Sequence, residues 1–276
     1  MSSKLRVMSY NYEQSIWGQG TASLKWSDPT AFRLKMSLKV LPERGKILEI
    51  GCGAGQFIRA IKKLRPELEC YGYDISENAI NRAKSYNDGV SYISEFRVLN
   101  SKFDVVLIYD VLEHVENPED LIKQVKASFN SGGKFYLFVP CERDWMSLWN
   151  LLEKTGLKKD LTKKYAGHIN YFTRHAVYDI LKKYDFKITG KKYSEHFLGQ
   201  LVGVVSFFLM DKFARKNNLE QINNETYFKN MKAGGLKKFI NSLIYLESCF
   251  FRFIPSPNLH LFAQLTTYNP NHKDKP

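Results

Sequence analysis

The sequence predicts an α/β chain: a doubly wound, mostly parallel sheet with helices on both faces, plus a helical insertion near the C-terminal end. Three observations point there. From Lys46 onward, short apolar runs alternate with amphipathic stretches. A glycine-rich turn follows the first run directly, and acidic residues recur just beyond later runs. In such sheets ligands bind past the carboxyl ends of the strands. A composition of 44% hydrophobic and 25% charged residues is that of a core-forming globular chain, and it excludes disordered and collagen-like classes.

Each element has a local reason. Residues 1–45 read as a polar lead and then a helical pattern, an N-terminal helical cap punctuated by Tyr10, Tyr12, Trp17 and Trp26. A core is expected over 46–196. KILEI is a short apolar run between turn residues, as a buried parallel strand requires. QFIRAIKKL spaces Phe57, Ile58, Ile61 and Leu64 helically. LECYGYD then reads as a strand and SENAINRAKSY as a helix capped by Ser76. VSYIS and FDVVLIYD are further strands, NPEDLIKQVKASF a helix and GGKFYLFVP a strand. DWMSLWNLLEKTGLKKDLTKKYAG looks helical and Lys-rich, TRHAVYDILKKYDF is an amphipathic helix, and FKITGKKYS a strand. Residues 197–257 are the insertion, and NLHLFAQLTTY in 258–276 is the last strand.

The net charge of +13 is unevenly placed. Residues 1–150 contribute +2 and residues 151–276 contribute +11, so an anionic surface or an acidic acceptor belongs with the second half. Cys52, Cys70, Cys141 and Cys249 show no CxxC spacing, which argues against a disulfide framework or zinc site. The first residues carry no apolar signal region, and no run of roughly 18 uninterrupted apolar residues is present. A cytoplasmic chain is expected, peripheral at the inner membrane face if it meets a membrane.

The sharpest motif is Glu49-Ile-Gly51-Cys-Gly53-Ala-Gly55, where glycines allow a tight turn and close approach of backbone to a ligand. Neither register completes GxGxxG, because Gln56 and Ile58 stand where the last glycine belongs. Asp74 ends the second strand, placed to accept hydrogen bonds from a ribose diol; the plainer alternative is a turn or capping carboxylate. Asp110 ends the fourth strand and points to the same edge.

LEIGCGAGQF, YGYDIS, FDVVLIYDVLEHV and GGKFYLFVP together resemble successive motifs of the class I S-adenosylmethionine-dependent methyltransferases, nearest the quinone-pathway, small-molecule and glycan subgroup. GHINYFTRHAVYDILKKYDFKI extends the likeness. The resemblance implies a Rossmann-like sheet closed by an antiparallel C-terminal strand, with S-adenosyl-L-methionine as cofactor. It implies that Gly51, Gly53 and Gly55 line the methionine and ribose portions with Glu49 supporting the loop. Asp74 would hold the ribose hydroxyls, Ile75 would pack on adenine, and Asp110 and Val111 would lie at the methionyl end. The family's acidic residue on the adenine amino group has no clear counterpart in SYISEFRVLNSKFD, where Glu95 or Phe96 falls at that place.

Because a sulfonium is already a good leaving group, such a chain mainly aligns the acceptor and excludes water. A hydroxyl acceptor benefits from a base. His114 is the first candidate and His168 the second, each with a structural histidine as the alternative. Glu113 and His114 alone are too few to assert a metal, so none is expected. The expected reaction is O-methylation of a small-molecule, lipid-linked or glycan acceptor, with N-methylation open. A non-catalytic cofactor-binding scaffold and an RNA or protein methyltransferase are the alternatives. Nucleic acid is disfavoured: the Lys doublets form no stripe and no RNA-binding signature is present. In the insertion, FLGQLVGVVSFFLM over 197–210 is too short to span a bilayer. Phe239, Ile240, Leu243, Leu246, Phe250 and Phe251 share a helical side near Lys229, Lys232, Lys237 and Lys238. That pattern suits peripheral contact with an anionic membrane or a lid; packing against the sheet or an oligomer mate is the plainer alternative.

Overall fold

A computed structural model describes residues 16–95, 102–156, 161–217 and 234–266. Tyr10, Tyr12, Phe96, Lys158, Lys159, Lys229 and Lys232 lie outside them. Among the described residues the sheet has seven strands: β1 (Lys46–Ile50), β2 (Glu69–Tyr73), β3 (Ser91–Ile93), β4 (Phe103–Tyr109), β5 (Phe129–Pro140), β6 (Phe186–Ser194) and β7 (Asn258–Leu265). Their order is β3-β2-β1-β4-β5-β7-β6. β1 pairs in parallel with both β2 and β4, so the chain reverses direction across the sheet there and opens a crevice at the strands' carboxyl ends. β7 runs antiparallel to both β5 and β6. The mostly parallel sheet with one antiparallel strand is the fold expected, and the antiparallel strand lies inside the sheet rather than at its edge.

The helices are α1 (Ala31–Ser37), α2 (Gln56–Leu64), α3 (Glu77–Lys84), α4 (Pro118–Ala127), α5 (Leu148–Lys154), α6 (Leu161–Ala166), α7 (Arg174–Lys183), α8 (Phe197–Lys216) and α9 (Gly234–Phe251). Alternation along β1 sends Ile47 to one face, where α1, α2 and α3 bring Leu34, Ile58 and Ile80. Leu48 and Ile50 face the other side, against Leu121 and Val125 of α4 and Val177 and Leu181 of α7. Each such side chain stabilises the fold by about 1.5–3 kcal/mol on burial. Leu64, placed by its spacing on the apolar side of α2, is exposed.

Caps set the helix starts. The Ser76 hydroxyl accepts from Ala79 N–H at 3.2 Å, the Asn117 side chain from Asp120 N–H at 3.2 Å and the Thr173 hydroxyl from Ala176 N–H at 3.2 Å. The Lys-rich stretch after β5 forms two short helices, α5 and α6, rather than one. α8 is longer than its apolar segment and continues through Asp211, Lys212, Arg215 and Lys216. At 20 residues it is long and apolar enough to cross a membrane by length and composition, which revises the reading of 197–210 as too short.

Candidate active site

The loop after β1 is tied to the end of β2, since Gly51 and Cys52 N–H both donate to the Tyr73 carbonyl, at 2.8 and 3.0 Å. Gly51 and Gly53 adopt φ of +73° and +53°. A side chain at Gly51 would collide with Val111, and one at Gly53 would come within 2.7 Å of the Trp17 carbonyl oxygen. Gly53 N–H donates to Asp74 Oδ2 at 2.7 Å, and Asp74 Oδ1 accepts from Ser76 N–H at 3.0 Å. Asp74 is thus both the turn carboxylate of the plainer alternative and a wall of the cavity. Glu49 is buried and accepts from Ile58 N–H at 2.7 Å, so it braces the start of α2 against the loop. Burial pushes its carboxyl well above the usual range, and the Ile58 bond only partly opposes that.

Residues 17–22 strap over the loop. The Trp17 carbonyl accepts from Ala54 N–H at 2.8 Å, and Ala22 N–H donates to the Gln56 carbonyl at 3.1 Å. Arg59 donates to the carbonyls of Gly20 at 2.6 Å and Ala54 at 3.0 Å, with its guanidinium 3.7 Å from the Tyr86 ring centre. Trp17 and Gly18 thereby form part of the cavity wall.

One cavity of about 490 Å³ runs from this strap and loop past Asp110 to α5, α6 and α8. Asp74, Asp110, Glu142 and Glu195, which line it, come just after β2, β4, β5 and β6. These strands share one direction, so their acids gather at one end. Asp110 and Glu195 hold φ of +50° and +51°, a conformation uncommon outside glycine and typical of functional sites. Both bind Arg33 of α1, at 2.6 and 3.3 Å, while the guanidinium lies 4.1 Å from the Phe138 ring centre. Asn258 of β7 donates to Glu195 at 2.9 Å. Ile75 and Val111 line the same cavity.

The two histidines meet edge to face, 5.0 Å between ring centres. His114 Nδ1 is 3.1 Å from the Gly167 carbonyl. Burial, reinforced by His168, pushes its pKa down to about 3, which makes it a poor proton acceptor. His168 Nδ1 lies 2.6 Å from Glu142 Oε1, and Glu142 Oε2 accepts from the Thr162 hydroxyl at 3.0 Å. Burial alone would lower His168; the Glu142 bond and charge outweigh it and raise the pKa above its ordinary value. The hydrogen-bonded carboxylate–histidine pair is therefore Glu142–His168, while His114 Nε2 lies 3.8 Å from Glu113 Oε1. Glu113 is fully buried, and neither of its oxygens is hydrogen-bonded. Glu113, His114 and His168 place one ligand-type atom each within 4.8 Å of one another, a third member that the adjacent pair in the sequence did not reveal. Burial and Asp110 push Glu113 up to about 8, so near neutral pH the carboxyl is held mostly uncharged.

Of the residues predicted to bind the cofactor or act as base, all but Gly55 line the cavity; Glu95, offered for the adenine side, is exposed and is not part of its lining. Gly55 instead precedes α2 at φ +86°, close under Tyr92. Sequence reasoning missed Arg33, Trp17, Glu142, Glu195 and Asn258. The strand-end rule that found Asp74 and Asp110 also reaches Glu142 and Glu195, which follow GGKFYLFVP and FKITGKKYS in the same way. Arg33 and Trp17 carry no local signal.

A family profile described as a methyltransferase domain matches residues 22–190, more than half of the chain. The chain belongs to this family, the S-adenosylmethionine-dependent methyltransferases. It is 30% identical over 113 residues to a ubiquinone biosynthesis O-methyltransferase of Coxiella burnetii, covering 38% of this chain and 47% of the relative. To the mitochondrial ubiquinone biosynthesis O-methyltransferase of Schizosaccharomyces pombe it is 32% identical over 168 residues, covering 55% and 56%. The chain spans about half the length of these curated relatives. Among solved structures, the [4+2]-cyclase SpnF shares the fold at TM-score 0.56 and 13% identity, covering 87% of this chain and 83% of that one. Haemonchus contortus phosphoethanolamine N-methyltransferase 2, solved with S-adenosylhomocysteine, does so at TM-score 0.51 and 17% identity, covering 86% and 53%.

S-adenosyl-L-methionine fits the loop end of the cavity. Gly51 and Gly53 leave a floor without side chains, Asp74 offers a carboxylate at the wall, and the surrounding acids suit a cationic sulfonium.

Proposed function

We propose that the chain O-methylates an uncharged, largely apolar acceptor, a small molecule or lipid precursor, using S-adenosyl-L-methionine. The observation that carries this reading is one cavity lined by the glycine loop, by the Glu142–His168 pair and by Trp149 and Phe207, whose rings meet edge to face at 5.5 Å between centres. The cofactor, when bound, supplies an electrophilic methyl group. Gly51, Gly53 and Asp74 would hold it, with Ile75 and Val111 packing along it. His168, oriented through Nδ1 by Glu142, takes the acceptor's hydroxyl proton at Nε2. Among the described residues, Arg33 is the sole lysine or arginine on the cavity wall, and it is matched by Asp110 and Glu195. An acidic acceptor would face unbalanced carboxylates, which favours a neutral one. The O-methyltransferase names of the relatives agree with this reading.

Titration calorimetry with S-adenosyl-L-methionine should show binding that Asp74→Ala weakens about 10- to 100-fold, since hydrogen bonds to a charged group contribute about 1.5–3 kcal/mol. Transfer of labelled methyl into a lipid extract should fall roughly 10²- to 10⁴-fold in His168→Gln while cofactor affinity holds. The rate should rise with pH through a His168 pKa above 6.5. Cofactor binding without any labelled product would leave the scaffold reading; label entering only RNA would replace the acceptor class.

A further inference from the structure

α8 has two different sides. Gly199, Gln200, Gly203 and Phe207 face the cavity, and Met210, Asp211 and Ala214 pack inward. On the opposite side Phe197, Leu201, Val205, Phe208 and Leu209 are exposed over the first turns, Phe197 by 69%. The last turns change character: Lys212, Arg215 and Lys216 are all exposed. α9 also has an exposed apolar side, formed by Leu236, Phe239, Leu243 and Phe250, the last exposed by 77%, and its exposed lysines, Lys237 and Lys238, lie in its first turns. The helices are joined where Glu247 of α9 accepts the N–H groups of Leu198 and Gly199, at 2.6 and 3.2 Å. His196 and Phe251 pack there at 5.9 Å between ring centres. Trp145, ahead of α5, is also largely exposed, and α5 joins α8 through Leu148 N–H donating to Gln200 at 2.8 Å.

We propose that the outward side of α8, together with α9, docks on the surface of an anionic lipid bilayer, with α8 lying in the interface. Charge complementarity selects this occupant: an exposed apolar side ending in cations matches acyl chains under anionic headgroups. A second copy of the same chain would instead set those cations against each other. Lying in the interface is also what the inward contacts of α8 require. Asp211 Oδ1 accepts from the Tyr165 hydroxyl at 2.9 Å, and Gln200 and Phe207 form cavity wall. A helix crossing the bilayer would abandon both. Docking so places one wall of the acceptor end of the cavity at the membrane, where an apolar acceptor would reside.

Flotation of the full chain with vesicles, without cofactor or acceptor, tests this independently of methyl transfer. Co-flotation is expected with phosphatidylcholine vesicles containing phosphatidylglycerol and should be far weaker with phosphatidylcholine alone. Lys212→Ala with Lys216→Ala should weaken binding roughly 30-fold, the loss for two surface cations at about 1 kcal/mol each. Leu201→Asp with Leu209→Asp should abolish it, while cofactor binding by calorimetry shows that both variants are folded. Alkaline carbonate should release the wild-type chain. The proposal is overturned by absence of flotation, by equal binding to neutral vesicles, by carbonate-resistant insertion, or by a dimer that the aspartate variant splits without any vesicle effect.

Discussion

Glu113 and His114 pull the stability of the chain in opposite directions with pH. A carboxyl whose folded pKa is about 8, against 4.5 ordinarily, costs nothing below pH 4.5 and loses stability as pH rises toward 8. His114, held at about 3 against 6.5, contributes fully above pH 6.5 and loses stability as pH falls toward 3. Glu113→Gln should therefore gain in Tm over wild type between pH 5 and 8 and show no further gain beyond it. A chelator should leave that profile unchanged; a chelator-sensitive wild-type Tm would mean that a cation, not a proton, satisfies Glu113. At Gly51, φ +73° and the Val111 side chain both oppose a Cβ. Gly51→Ala should cost about 1–3 kcal/mol in denaturant unfolding and weaken cofactor binding. Gly51 and Asp74 were legible because their signals are local: a turn after a strand, a carboxylate at the next strand's end. Arg33 reaches Asp110 across the fold, and nothing in AFRLKMS marks the arginine as part of a site. The sequence puts His114 ahead of His168 because it shows neither the burial that lowers the basicity of one ring nor the Glu142 that supports the other.

At the level of elements, the junction between the loop after β5 and α7 contains a buried pair beside the bond from Arg143 N–H to the Phe172 carbonyl. Arg174 donates to Asp144 Oδ2 through Nε at 2.5 Å and to Oδ1 through Nη2 at 3.2 Å, and its backbone N–H reaches Oδ2 at 3.1 Å. Both side chains are under a tenth exposed. Asp144→Ala should destabilise the chain by about 3–5 kcal/mol in denaturant unfolding, because it strands a buried cation. Strands and capped helices were readable from period and punctuation. The length of α8 was not, because an apolar-run reading stops at the first charged residue. The helix continues because Arg215 pairs with Asp211 one turn earlier, at 2.8 Å, and Leu161 and Tyr165 of α6 pack on Met210 and Ala214.

For the whole molecule, the sheet was legible because each βα unit announces itself locally, while the pairing of its last strand came only through family likeness. The charge asymmetry reads differently in three dimensions: Lys212, Arg215 and Lys216 are exposed on α8, whereas Asp74, Asp110, Glu142 and Glu195 line the cavity. The place of β7 between β5 and β6 has a consequence for assembly. All other described strands precede it in the chain, so β5 and β6 keep facing edges unpaired until β7 inserts between them. β7 also brings Asn258 to Glu195, and His260 to Tyr136 at 2.6 Å and Ser194 at 2.9 Å. A chain synthesised only as far as residue 257 therefore contains the glycine loop and Asp74 but has no strand to pair the facing edges of β5 and β6, and it lacks the Asn258 contact to Glu195.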